Sequence, residues 1–227
     1  MHVILLVFMH NTLKFTEDGT STLYSPRFDQ YYHSRFGAKW EAERVYLELG
    51  LLSALHRFDN VRILEVGFGT GFNALLTHEK IKELSLVDGL ETAVSYTGVE
   101  AYPITLSESK ELNFDVSFLH KLPWDQSQKL DNNFNFKKVH TEILDFKSTE
   151  KYNLVYFDAF APSSQPEMWT VEVFEKIASL LEPEGILTTY CSKSFVQRNL
   201  RAAGFDVEKH QGPPRKREVL RAILKFN

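Results

Sequence analysis

Residues 61–67, VRILEVG, form a short apolar run that stops at a glycine, and a helical pattern, FNALLTHEKIKEL, begins at residue 72. A run like this has to be buried on both faces, which few folds allow. The alternation continues along the chain. AVSYTGVE (93–100), FKKVHTEIL (136–144), YNLVYFDAF (152–160) and ILTTYC (186–191) read as strands. TVEVFEKIASLLEPEG (170–185) reads as a helix ended by Pro183 and Gly185, and SFVQRNLRAAG (194–204) as another. Strands alternating with helices predict a parallel sheet covered on both faces. FDVEKHQG and EVLRAILKF close the chain around PPRKR with no helix between them, so they are expected to pair as an antiparallel hairpin.

An α/β Rossmann-like sheet finished by an antiparallel strand is the pattern of class I methyltransferases, and differs from the all-parallel dinucleotide-binding sheet. That domain is expected over residues 37–227. Its first helix, AKWEAERVYLELGLLSALHRF, has apolar residues at 45, 49, 52 and 55. Residues 1–36 are expected to be an extension packed on the core, with a hairpin around Asp18-Gly19. The opening MHVILLVFMH is too short to span a bilayer and has no basic leader, so it reads as a strand or as an early start codon.

Cys191 is the only cysteine, which rules out an internal disulfide and suits a reducing cytoplasm. No metal site is expected, because no H-x3-H or C-x2-C pair occurs. The net charge of −4 does not advertise nucleic-acid binding, but it is unevenly spread. Residues 191–227 hold nine Lys/Arg and three Asp/Glu, so a basic face is expected there.

The loop EVGFGTGFN carries glycine at 67, 69 and 71, which lets the backbone turn tightly against a ligand. The nicotinamide fingerprint would need glycine at 72, where this chain has Phe72. Glu65 just before the loop would repel a pyrophosphate and favour a sulfonium with its α-ammonium group. The loop therefore points to S-adenosylmethionine. Two acids compete for the ribose: Asp88, if ELSLVDGL is a strand, and Glu100, if that segment ends the helix. Glu142 is a candidate for the adenine amino group.

Asp158 follows the interior run NLVYF, at the strand end where open α/β sheets bind ligands. There it would face the methyl donor across the same crevice as Gly67–Gly71. An alkylamine is mostly protonated at neutral pH. A carboxylate can hold the ammonium, orient it and take its proton. N-methylation is thus favoured over O- or C-methylation.

The segments SPRFDQYYHS, EVGFGTGFN, GVEAYPI, FDAFAPSSQPEMWT and GPPRKREVL occur in this order. From about Ser25 onward the chain resembles the methyltransferase domain of the MnmC family, seen also as stand-alone MnmD-type proteins. The resemblance implies methylation of the aminomethyl group of 5-aminomethyl-2-thiouridine at the tRNA wobble position, with S-adenosylmethionine as donor. It places the donor against Glu65, Gly67, Gly69, Thr70, Gly71 and Asn73, and makes Glu100 rather than Asp88 the ribose acid. Glu142 stands where the family has an aspartate, and Asp158 matches the acid beside the amine. Phe68, Phe72, Ala159 and Phe160 would line the crevice, with Asp29, Tyr31 and Tyr32 bordering it.

The tRNA anticodon loop is the implied partner. Lys193, Arg198, Arg201, Arg215, Lys216 and Arg217 are expected on its phosphates. Tyr31, Tyr32, Phe160 and Trp169 are candidates for stacking on its bases. Bifunctional relatives carry a flavin oxidase domain after this one; a chain ending at Asn227 is expected only to methylate. Two other readings stay open: an N-methyltransferase for a small molecule or protein, and a noncatalytic RNA-binding module. The intact loop and Asp158 argue against the second.

Overall fold

The structure, a computed structural model, describes residues 10–225. The strand expected in the opening apolar run lies, His10 aside, outside them. Strands β1 (Thr12–Phe15), β2 (Ser21–Ser25) and β3 (Gln30–Tyr31) make a small antiparallel sheet. The β1–β2 turn contains Asp18 and Gly19, where a hairpin was expected. Leu23 anchors this sheet against Leu75, Ile104, Leu112 and Val116.

A helix, α1, runs over residues 38–55. It is α-helical at Ala38–Ala42, π-helical at Glu43–Leu52 and α-helical again at Ser53–Leu55. Then come β4 (Asn60–Val66), α2 (Phe72–Val87), β5 (Ala93–Glu100), α3 (Leu106–Glu111), α4 (Ser117–Lys121), β6 (Gln128–Asp131) and β7 (Phe134–His140). The chain closes with β8 (Tyr152–Phe157), a 3-10 turn (Pro166–Trp169), α5 (Val171–Leu180), β9 (Leu181–Thr189), α6 (Ser194–Ala202), β10 (Phe205–Gln211) and β11 (Glu218–Leu224).

The central sheet has eight strands in the order β10-β11-β9-β8-β4-β5-β7-β6. Strands β7, β5, β4, β8 and β9 are parallel, and β10, β11 form the expected antiparallel hairpin at one edge. The opposite edge corrects the sequence reading. There β6 pairs antiparallel with β7, so antiparallel ladders close both ends of the sheet.

Two other boundaries move. α5 stops at Leu180: Leu181 is already extended and begins β9, and Glu182, the residue before Pro183, is disfavoured in the helical region. β7 stops at His140, its last residue paired with β5, and Glu142 starts a turn closed by Asp145 and Phe146 N–H groups.

The unbroken apolar runs are explained by two cores. Val61, Ile63, Leu154 and Tyr156 pack under α1 and α2. Leu64, Val66, Val155 and Phe157 pack under α5 and α6. Successive strand residues thus feed opposite faces, and each such buried side chain contributes about 1.5–3 kcal/mol. Among the described residues no helix is long and apolar enough to cross a membrane.

Candidate active site

Strand order reverses between β4 and β8: the chain moves from β4 toward β5 and β7, then returns to β8 and builds toward β9. A crevice opens at such a point beyond the strand ends. Here it is a cavity of about 590 Å³, within the usual range for a small-molecule site.

The glycine loop makes one wall. The N–H groups of Gly67 and Phe68 both donate to the Val99 carbonyl, at 3.0 and 3.1 Å, which folds the loop back over β5. Gly67 has φ +91°, and a Cβ there would sit 2.7 Å from the Asp158 carbonyl oxygen. Glycine is required by both conformation and space. Phe68 turns down into the floor, where a Cβ on Gly98 would meet its ring at 2.7 Å.

Thr70 is held from two sides: its hydroxyl lies 2.8 Å from His33 Nε2, and its carbonyl accepts from His120 Nε2 at 2.9 Å. Burial lowers His33 to about 4, which keeps it neutral at pH 7. Gly71 is behind the Phe68 ring and does not line the cavity.

Five acids were candidates here, and the structure sorts them. α2 continues to Val87, so Asp88 is only its C-cap, while Glu100 ends β5 at the cavity. Glu100 accepts from Gly69 N at 2.7 Å and from Tyr102 N at 2.8 Å, tying the loop to β5. Burial raises its pKa, and those backbone donors pull it back. Glu142 lines the outer wall, exposed.

Glu65 does not line the cavity and is 1% exposed; the sequence reading that set it against the donor is corrected, because its strand position points it into the core below the loop. Burial, reinforced by the charge of Asp158, raises it well above the usual carboxylate range. It accepts from Asn73 Nδ2 at 2.9 Å, while its second oxygen has no hydrogen-bond partner, the Tyr96 hydroxyl approaching without closing a bond.

Asp158 is the centre of the site. Its Oδ1 accepts from the Tyr46 hydroxyl at 2.6 Å and its Oδ2 from Asn73 Nδ2 at 2.8 Å. Asn73 therefore bridges two carboxylates with one amide group. Burial pushes Asp158 up to about 6; Glu41 adds to the rise, while the two hydrogen bonds and Lys216 oppose it.

The opposite wall is assembled from distant segments. Phe28 stacks on Phe160 with centroids 4.5 Å apart, and Tyr32 meets Phe160 edge-on at 5.0 Å. Gln30 Oε1 accepts from Ala161 N at 3.0 Å, docking β3 on the loop after β8. The Tyr190 hydroxyl donates to the Ala159 carbonyl at 2.9 Å. Tyr31, Phe72 and Ala159 also line the cavity.

Trp169 does not. It is 1% exposed, donates to the Phe160 carbonyl at 2.8 Å and packs edge-on against Phe157, so it is a core residue and no stacking platform. Asp29 is exposed outside the cavity, with its carboxylate taken by the Tyr24 hydroxyl. Lys193, Arg198, Arg201 and Arg217 are exposed outside it too. Arg215 pairs with Glu17 at 3.0 Å. Lys216 alone of the expected phosphate contacts enters the cavity, where it pairs with Glu41.

A profile described as S-adenosyl-L-methionine-dependent methyltransferase matches residues 110–225, about half of the chain. The chain belongs to this methyltransferase family. It is 31% identical to the tRNA 5-methylaminomethyl-2-thiouridine biosynthesis bifunctional protein MnmC of Pseudoalteromonas atlantica, across 93% of this chain and 33% of that protein. The chain thus spans about a third of the length of that curated relative. Among solved structures, MNMC2 from Aquifex aeolicus superposes with a TM-score of 0.75 and 25% identity, covering 96% of this chain and 71% of that one. The magnesium protoporphyrin IX methyltransferase of Synechocystis with bound SAM gives a TM-score of 0.53 at 13% identity, covering 83% and 81%, and shares the fold.

The methyltransferase cofactor, S-adenosylmethionine, fits what the crevice offers. The walls carry Glu100, Glu142, Glu41 and Asp158, which suit a ligand bearing an ammonium and a sulfonium and would repel a pyrophosphate. The residues that sequence reasoning missed are Glu41, Tyr46, Gln30 and Tyr190. Tyr46 had a signal that a 3.6-residue period hides. In the π-helical stretch the i→i+5 repeat turns Tyr46, Gly50 and Leu51 inward together, beside the expected Val45 and Leu49.

Proposed function

We propose that this methyltransferase transfers a methyl group to the aminomethyl nitrogen of 5-aminomethyl-2-thiouridine at the wobble position of tRNA. The observation that carries the reading is Asp158: a carboxylate held between Tyr46 and Asn73, raised to about 6, at an aromatic cavity beside the glycine loop. The likeness to MnmC and MNMC2 supports the choice of amine.

S-adenosylmethionine supplies an electrophilic methyl group on a sulfonium. The chain supplies the rest. Gly67, Gly69, Thr70 and Asn73 would seat the donor, with Glu100 on the ribose and Glu142 near the adenine. Glu65 acts from below, by fixing Asn73. At pH 7 Asp158 is mostly ionised and accepts the ammonium proton, which frees the nitrogen lone pair. Tyr46 and Asn73 hold the carboxylate in one orientation, and alignment supplies much of the rate. Phe28, Tyr31, Tyr32 and Phe160 would stack on a splayed base and keep water out. Arg215 and Arg217, with Lys193, Arg198 and Arg201 beyond, would meet anticodon-loop phosphates. Residues 28–36 serve this same domain as a wall of the pocket, and the setting is the cytoplasm.

The test is incubation with labelled S-adenosylmethionine and hypomodified tRNA bearing the aminomethyl group. Label in the wobble nucleoside is expected. A folded protein that leaves this nucleoside unlabelled overturns the reading.

A further inference from the structure

Lys216 occupies an unusual place for a loop lysine. It comes from the β10–β11 turn, yet its Nζ meets the Glu41 carboxylate and lies 4.6 Å from the centre of the Tyr190 ring. A carboxylate and an aromatic face both bind an ammonium favourably in proteins. Glu41, Tyr190 and Asp158 share the cavity wall. The Glu41 side chain is only 13% exposed, so a cation seated there is shielded from water more than at an ordinary surface pair.

We propose that Glu41 and Tyr190 form an ammonium subsite beside Asp158, filled in the resting protein by Lys216 and taken over by the amine of the substrate. This rests on the amine reading above. The substrate brings the same chemical group that Lys216 already places there. Lysine is a point charge on a flexible stem; it swings out toward the phosphates that its exposed neighbours Arg215 and Arg217 face. Glu41 then holds the positive charge at the cavity mouth and Asp158, which keeps free lone pairs on both oxygens, takes the proton. Two jobs fall to two carboxylates.

The groups facing Asp158 are Glu41 and Tyr46 from α1, Glu65 from β4, Asn73 from α2, Tyr96 from β5, Tyr190 from just past β9 and Lys216 from the turn. Removing Lys216 should therefore raise the Asp158 titration, and removing the Glu41 charge should lower it.

The experiment uses Lys216→Met and Glu41→Gln in the full chain. The first arm follows the Asp158 carboxylate by ¹³C NMR without any substrate, in methylammonium chloride against potassium chloride. Lys216→Met should strengthen the methylammonium response, and Glu41→Gln should abolish it. The second arm measures methylation of the free aminomethyl nucleoside. KM is expected to fall several-fold in Lys216→Met and to rise about tenfold in Glu41→Gln, the size of one lost charge-assisted bond. Equal methylammonium responses in both variants and the parent overturn the subsite, as do KM changes of the same sign. If the parent labels no aminomethyl nucleoside, the amine reading fails, and the methylammonium arm still decides the subsite.

Discussion

The two walls of the cavity are built by different rules. The cofactor wall is local: Gly67, Phe68, Gly69, Thr70 and Asn73 lie within seven residues, and Glu100 closes them from the neighbouring strand. The wall we propose for the amine is not: Glu41 comes from α1, as does Tyr46 behind Asp158, Asp158 from the end of β8, Tyr190 from just past β9 and Lys216 from the final turn. The first wall is backbone and glycine, fixed by conformation. The second is charge and hydroxyls, fixed by tertiary packing. A substitution in the first should damage binding and folding; one in the second should damage turnover and its pH dependence.

The largest expected effect is on the second wall. Asp158→Ala should lower kcat about 10²–10⁴-fold, the usual size of an acid–base contribution. Calorimetry should show cofactor affinity changed by no more than about threefold, well below one factor of ten and so below about 1.4 kcal/mol. An equal loss of cofactor affinity would erase the distinction between the walls. Next is the first wall. Gly67→Ala forces a side chain into φ +91° and against the Asp158 backbone. It should cost about 1–3 kcal/mol of stability, read by denaturation, together with cofactor binding.

Tyr46→Phe should be milder, about tenfold in kcat at pH 7, as for one hydrogen bond to a charged group. Its pH profile gives the diagnosis. The Tyr46 hydrogen bond lowers Asp158, so its loss moves the acid limb of the rate profile above 6. Rate should return as pH is raised toward 8; a loss independent of pH would make Tyr46 merely a packing residue.

Stability should run the other way from activity. Asp158 is raised from 3.8 to about 6 in the folded chain, so between those values the native state binds the extra proton. Its contribution to stability is therefore greatest at low pH and declines as pH rises through 6. Asp158→Asn should raise the melting temperature above pH 6 and gain little at pH 4. The smallest effect is at the mouth. Reversing Arg215 and Arg217 should weaken tRNA binding several-fold at low salt and reduce its salt slope by about two. Arg215 should matter less, because Glu17 already pairs it.

The same contrast governs what could be read in advance. Glu100 was one of two choices from pattern alone, and the length of α2 decided it: Asp88 merely caps a helix that runs on to Val87, past its last buried residue, Ile81. Trp169 is a stacking candidate by residue type alone, yet its indole N–H is needed inside, on the Phe160 carbonyl. Glu65 lay in the right segment, but strand alternation sends it below the floor. Tyr46 was hidden by a helix whose repeat is not 3.6 residues. Basic residues near the C-terminus were read as one face, whereas Lys216 points into the cavity and pairs with an acid 175 positions away.

The sequence by itself determined the alternating α/β order, the doubly buried strands, the glycine loop and the acid at the end of β8. Each is a short-range pattern set by burial and backbone conformation. Only the tertiary structure decided which groups face that acid. Tyr46, Asn73, Glu41 and Lys216 meet around Asp158 because strand order and one widened helix bring separate segments together. Contacts of that kind leave no period or spacing in the chain.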